Sequence, residues 1–132
     1  MKLSLLCAVD CALYVWKKPI AVLALLLAPT VVHAWTTADT YREAGYDALL
    51  VLDAKQTSWA MSHPGWQELN PLLGSHPSQA QINRHFIACA LLHGVVSGVL
   101  PEKYRSRWQW STIGIEAFVV AHNKYIGIRM SF

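Results

Sequence analysis

Two carboxyl groups in apolar surroundings are the residues of this sequence best suited to chemistry. Asp53 lies in LLVLDAKQTSW, and Glu116 lies in TIGIEAFVVA. A charge on an apolar helix is costly and often functional. A carboxyl buried near another one can exchange protons. Together with Glu68, these two carboxyls are the candidate catalytic residues.

Four amide or imidazole side chains are candidate ligand-binding groups: Gln56, Asn70, His93 and Asn123. Asp53, Gln56 and Thr57 share one helix face, because they are three and four positions apart. Glu116 and Asn123, seven apart, share a face of a later helix. The favoured alternative is structural, with the two polar faces bonding to each other and fixing the helix register. If a site exists, Asp53, Glu68, Asn70 and Glu116 are expected to meet there.

The sequence predicts no metal and no cofactor. Cys89 and His93 are one helical turn apart but lack a second ligand pair at metal-binding spacing. CxxC, HExxH, P-loop and GxGxxG patterns do not occur. The net charge of +3 comes without a basic patch interleaved with aromatic residues, so no nucleic-acid partner is expected.

The composition favours a membrane protein. Hydrophobic residues make up 54% of the chain and charged residues 14%. Soluble domains average about 45–50% apolar and about 25% charged residues. The expected location is the bacterial inner membrane, with the periplasm as the alternative after signal cleavage.

Residues 1–34 are predicted to be a signal peptide or a membrane anchor. Lys17 and Lys18 precede the apolar run Ile20 to Val32, and Ala34 ends a cleavage-type motif. Cleavage there would leave residues 35–132 as a single helical membrane domain beginning at Trp35. Initiation at Val15 instead of Met1 would give a compact signal peptide.

Three helices are predicted in the body of the chain, making an all-α, small helical membrane bundle behind the N-terminal segment. The first starts at a Thr37 or Asp39 cap and ends near Met61, the second covers 79–100, and the third covers about 108–128. Ser78 and Gln81 fit a capping box. Asn70-Pro71 and Gly74 shape the preceding loop, and residues 102–107 are predicted to be a short basic loop.

Small residues recur every four positions on the second helix, at Ala90, Gly94 and Gly98. This pattern allows two helix backbones to approach closely in a membrane. The expected partners are therefore membrane lipid and either a second copy of the chain or a larger membrane complex.

The pattern DxxQT from Asp53, followed by ExNPLLGxHPS from Glu68, resembles a group of small helical membrane proteins encoded in bacterial and prophage genomes. The resemblance extends over most of residues 46–128. It implies a membrane-associated helical bundle and no catalytic role, because the group carries no assigned activity.

The sequence thus favours a small integral membrane protein, a non-catalytic accessory or assembly component that associates by helix packing. One alternative is an intramembrane enzyme or a proton or ion pathway that uses Asp53 and Glu116. Another is a soluble, exported helical bundle.

Overall fold

The computed structural model describes residues 34–130, so the predicted leader lies outside the described part except for its last residue. Within that part the chain forms three helices and no strand. They are α1 (Thr37–Met61), α2 (Gln79–Val99) and α3 (Glu102–Tyr125). The prediction of an all-α bundle is confirmed.

Capping residues set the first two helix starts. Thr36 caps α1, because its hydroxyl accepts from the backbone N–H of Asp39. The cap lies one residue before the predicted Thr37 and three before the predicted Asp39. The Asp39 carboxylate accepts from the Thr36 N–H at 2.9 Å in return. The predicted capping box of Ser78 and Gln81 at the start of α2 is confirmed.

The third helix begins at Glu102, and the predicted loop over 102–107 was wrong. The Pro101 carbonyl accepts from the backbone N–H groups of Tyr104 and Arg105, both at 2.8 Å, which closes the first turn. Arg105 is buried and forms an ion pair with Asp39 at 2.9 Å. This charged segment is helical because its central cation has a buried partner on α1.

The end of α3 also differs from the prediction. The helix stops at Tyr125 instead of Ile128, because Gly127 has a φ of +101°. That left-handed conformation suits glycine. The chain then turns back, and the Ile128 N–H donates to the Asn123 carbonyl at 2.9 Å.

The apolar core is small, and much of the interior is polar. One apolar cluster, between α1 and α2, consists of Tyr46, Leu50, Ile82, Phe86 and Cys89. A second consists of Ala60, Val119 and Ile128. α1 packs against both other helices, which contact each other less. The remaining contact of α1 with α3 is made largely by polar side chains.

One described helix, α2, is long and apolar enough to cross a membrane. Core helices of soluble proteins can meet the same criteria. The membrane character of the bundle therefore needs support from the rest of its surface.

Candidate functional site

The predicted polar faces of α1 and α3 meet inside the bundle. The Asn123 amide donates to the Asp53 carboxylate at 2.9 Å and to the Gln56 side-chain oxygen at 3.2 Å. Gln56 in turn donates to the Val120 carbonyl at 3.0 Å. These bonds fix the register of the two helices, as the structural alternative predicted.

Two more carboxyls lie near this contact. The Asp53 carboxyl interacts electrostatically with those of Glu116 and Glu68. All three side chains are buried. We call Asp53, Gln56, Glu68, Glu116 and Asn123 the acidic cluster. The structure thus brings the three candidate catalytic residues together.

The loop between α1 and α2 positions Glu68. The Glu68 carboxylate accepts from the Asn70 N–H at 2.8 Å, and the Asn70 side-chain oxygen accepts from the Leu72 N–H at 2.9 Å. Gly74, with a φ of +77°, completes the turn by donating its N–H to the Asn70 carbonyl at 3.1 Å. The Asn70 amide nitrogen also lies 3.2 Å from Nε2 of His85 on α2. This loop therefore directs a carboxylate into the bundle, and Asn70 adjoins the acidic cluster as predicted.

Two buried oxygens, one in the acidic cluster and one on the α1 face that contributes to it, lack a hydrogen-bond partner among the described residues. They are Oδ1 of Asn123 and Oγ1 of Thr57. Both side chains are fully buried, and Asn123 also donates to the Asp53 carboxylate. A buried polar atom without a partner is rare and calls for an explanation such as a bound water. Nowhere in residues 34–130 do three or more His, Cys, Asp or Glu side chains form a metal-binding group.

A second polar cluster lies at the other end of the bundle and is centred on His93. Nδ1 of His93 is 2.6 Å from the Glu43 carboxylate, and Nε2 is 2.8 Å from the Thr112 hydroxyl. The imidazole stacks on Tyr46 at 3.8 Å and faces Trp108 at 5.3 Å between ring centroids. His93 therefore joins α2 to both α1 and α3, and it can transfer a proton between its two ring nitrogens.

Arg105 closes this end of the bundle. Its guanidinium donates to the Asp39 carboxylate at 2.9 Å and to the carbonyls of Ser97, Leu100 and Ala34 at 2.8, 3.1 and 3.0 Å. Arg42 binds the other oxygen of Asp39 at 2.6 Å. We call this set the histidine cluster, and its members are Asp39, Arg42, Glu43, His93, Arg105, Gln109 and Thr112.

Sequence reasoning missed most of the histidine cluster. It identified His93 but treated Asp39 as a capping residue and Arg105 as part of a loop. Residue spacing could have revealed the α3 members of this cluster. Arg105, Gln109, Thr112 and Glu116 are four, three and four positions apart, so they lie on one face of a helix.

The ladder of small residues lies partly in the α1–α2 contact. Ala90 packs against the first apolar cluster. A methyl group added at Gly94 would lie 3.5 Å from the Glu43 carboxylate, whereas one added at Gly98 would have no neighbour within 4 Å in the described part of the chain. Of the three small residues, Gly98 is therefore the position that leaves room for another molecule to approach α2.

No protein-family model, curated protein or solved structure matches this chain. The resemblance to bacterial and prophage membrane proteins remains a prediction. Function must therefore be inferred from the geometry of the two clusters and from the surface around them.

Proposed function

We propose that this protein is a small integral membrane protein and a non-catalytic accessory or assembly component that associates by helix packing. The observation that carries the proposal is the distribution of polarity. Large apolar side chains on α2 and α3 point outward, with Leu91 67% exposed and Phe118 69% exposed. Five charged residues of the described part are buried at the same time: Asp39, Asp53, Glu68, Arg105 and Glu116. Such an arrangement suits lipid surroundings, where ionisable side chains face the bundle interior.

The exposed apolar residues cover the middle of the bundle on more than one helix. Those with at least about half of their surface exposed on the three helices include Val51, Ile87, Leu91, Val95, Trp110, Ile115 and Phe118. Single exposed apolar side chains are ordinary on soluble proteins, but seven large ones on a three-helix bundle support a partner or lipid on these faces. The exposed Lys55 lies near the end of α1, from where its long side chain can reach the membrane surface.

The proposed location is the bacterial inner membrane, with the predicted leader directing insertion. Lipid would contact the apolar surfaces of α2 and α3. The open position at Gly98 supports association with a second copy or with a larger membrane complex, since small residues allow close backbone approach.

Extraction of membranes with alkaline carbonate tests the membrane assignment. We expect the protein to remain in the pellet, because the outward apolar side chains of α2 and α3 would otherwise be exposed to water. Immunoblotting of pellet and supernatant measures the distribution, with a known periplasmic protein as the control. Release into the supernatant would instead support the soluble exported bundle.

Replacing Gly98 by leucine tests the association. We expect the variant to lose its self-association or its larger complex in mild detergent, because the leucine side chain would separate the two backbones. Gly114→Leu is the matched control, since a side chain at Gly114 also has no neighbour within 4 Å. Size-exclusion chromatography with light scattering measures the mass, and an unchanged mass for Gly98→Leu would contradict association through this ladder.

A further inference from the structure

The two polar clusters are joined by one buried polar face of α3. Its members are Arg105, Gln109, Thr112, Glu116 and Asn123, all buried. At about 1.5 Å per residue, this face extends about 27 Å from Arg105 to Asn123. The hydrocarbon core of a bilayer is about 30 Å thick. The polar face as a whole is nearly as long as the hydrocarbon core is thick. The proton-exchanging groups occupy part of it, since Glu43 and Asp53 are ten residues, or about 15 Å, apart along α1.

Groups that can exchange protons follow one another along this face of α3 and on the residues that pack against it. Glu43 contacts His93, and His93 contacts Thr112, at 2.6 and 2.8 Å. Thr112 and Glu116 are one turn apart on α3, which places their side chains side by side. Asp53 and Glu68 then interact with Glu116 or with each other. A chain of carboxyl, imidazole and hydroxyl groups thus runs through the bundle.

The chain is buried in the middle and reaches solvent directly at the Glu43 end. The inner side chains of His93, Thr112, Glu116 and Asp53 are at most 3% exposed. At one end the Glu43 side chain is 15% exposed. At the other end the buried Glu68 adjoins the buried Asn70, whose amide contacts the half-buried His85. A proton can therefore enter at Glu43, but at the Glu68 end it needs a bound water to pass Asn70 and His85.

An independent observation concerns the two unpartnered oxygens, Oδ1 of Asn123 and Oγ1 of Thr57. Buried polar groups are as a rule hydrogen-bonded, and a bound water would supply the partner here. Asn123 directs its amide N–H into the acidic cluster and leaves the oxygen free to accept from a bound water. A water there can bridge neighbouring polar groups at little cost.

We infer that the polar interior conducts protons across the membrane, from Glu43 through His93 and Thr112 to Glu116, Asp53 and Glu68. Each group releases one proton as it accepts another, so O–H and N–H bonds are exchanged and no electrons are transferred. A bound water carries the proton between consecutive groups whose side chains are not in contact, such as Thr112 and Glu116. The inference rests on the proposed membrane location and goes beyond the accessory role.

Proton flux into vesicles tests this inference. The purified protein is reconstituted into vesicles of phosphatidylcholine and phosphatidylglycerol that contain a pH-sensitive dye. Potassium and valinomycin set the membrane potential, and the rate of internal acidification is measured per protein. We expect Asp53→Asn and Glu116→Gln each to lower the protein-dependent rate by about 100-fold, because each removes a proton-exchanging group. Asp53→Asn keeps an oxygen that can accept from Asn123.

Glu102→Gln is the matched control, because Glu102 is an exposed carboxyl at the start of α3 and outside both clusters. It should conduct at the wild-type rate. Flotation of the vesicles on a density gradient shows whether the protein has inserted, and circular dichroism shows whether each variant is folded. Inserted wild-type protein with the rate of empty vesicles would overturn the proton pathway alone, as would unchanged conduction by folded Asp53→Asn. Failure of the wild type to float would overturn the membrane assignment as well.

Discussion

Replacing Arg105 by alanine is expected to lower the free energy of unfolding by about 3–5 kcal/mol, the cost of removing one partner of a buried ion pair. The substitution leaves the fully buried Asp39 carboxylate with only the partly exposed Arg42 as a cationic partner. It also removes the donors to the carbonyls of Ser97, Leu100 and Ala34. Since these contacts join α1, the end of α2 and α3, we expect the bundle to loosen at this end first.

Thermal unfolding followed by circular dichroism in detergent measures the Arg105 effect. Arg107→Ala is the control, since Arg107 is exposed on the same helix and should change stability little. Arg105→Lys should lie between wild type and Arg105→Ala, because an ammonium keeps the charge but lacks the planar arrangement of donors. Equal stability of Arg105→Ala and Arg107→Ala would show that the ion pair does not hold the helices.

Replacing His93 by alanine is expected to cost about 3 kcal/mol, as truncation of a large buried side chain leaves a cavity. The cavity would lie between the rings of Tyr46 and Trp108. The substitution also removes the imidazole that bridges Glu43 and Thr112, so each of these residues loses a hydrogen-bond partner. We therefore expect the contact of α2 with both neighbouring helices to weaken.

Chemical denaturation monitored by tryptophan fluorescence suits the His93 experiment, because Trp108 faces the imidazole. His76→Ala serves as the control, since His76 is exposed in the loop. His93→Gln tests the cause, because glutamine restores hydrogen-bonding capacity but not the stacked ring. A His93→Ala midpoint equal to that of His76→Ala would contradict a three-helix role for His93.

The helices that the sequence predicts well are those whose ends depend on local chemistry. Ser78 and Gln81 form hydrogen bonds with each other within one turn, so the start of α2 can be recognised from the four residues 78–81 alone. The start of α3 is different, because it depends on Arg105 meeting Asp39, 66 positions away along the chain. Local reasoning therefore mistook the first turns of α3 for a basic loop.

The helical part of the acidic cluster could be predicted from the sequence, whereas the part that depends on the loop could not. Periodicity places Asp53 and Gln56 on one face and Glu116 and Asn123 on another, so two complementary polar faces could be expected to meet. Periodicity does not reveal that Glu68 turns inward, because its position depends on the fold of the loop around Asn70. The link from Glu43 to His93 was missed because it joins residues 50 positions apart on separate helices.

The contact of Arg105 with the Ala34 carbonyl bears on the predicted cleavage after Ala34, if that cleavage takes place. A signal peptidase cutting after Ala34 needs the backbone around residues 34 and 35 in an extended, accessible form. In the folded bundle, Arg105 binds that carbonyl at 3.0 Å and its guanidinium lies 5.3 Å from the centre of the Trp35 ring. We therefore expect processing to be fastest before α3 docks. Folding of the bundle would then close the time window in which the leader can be removed.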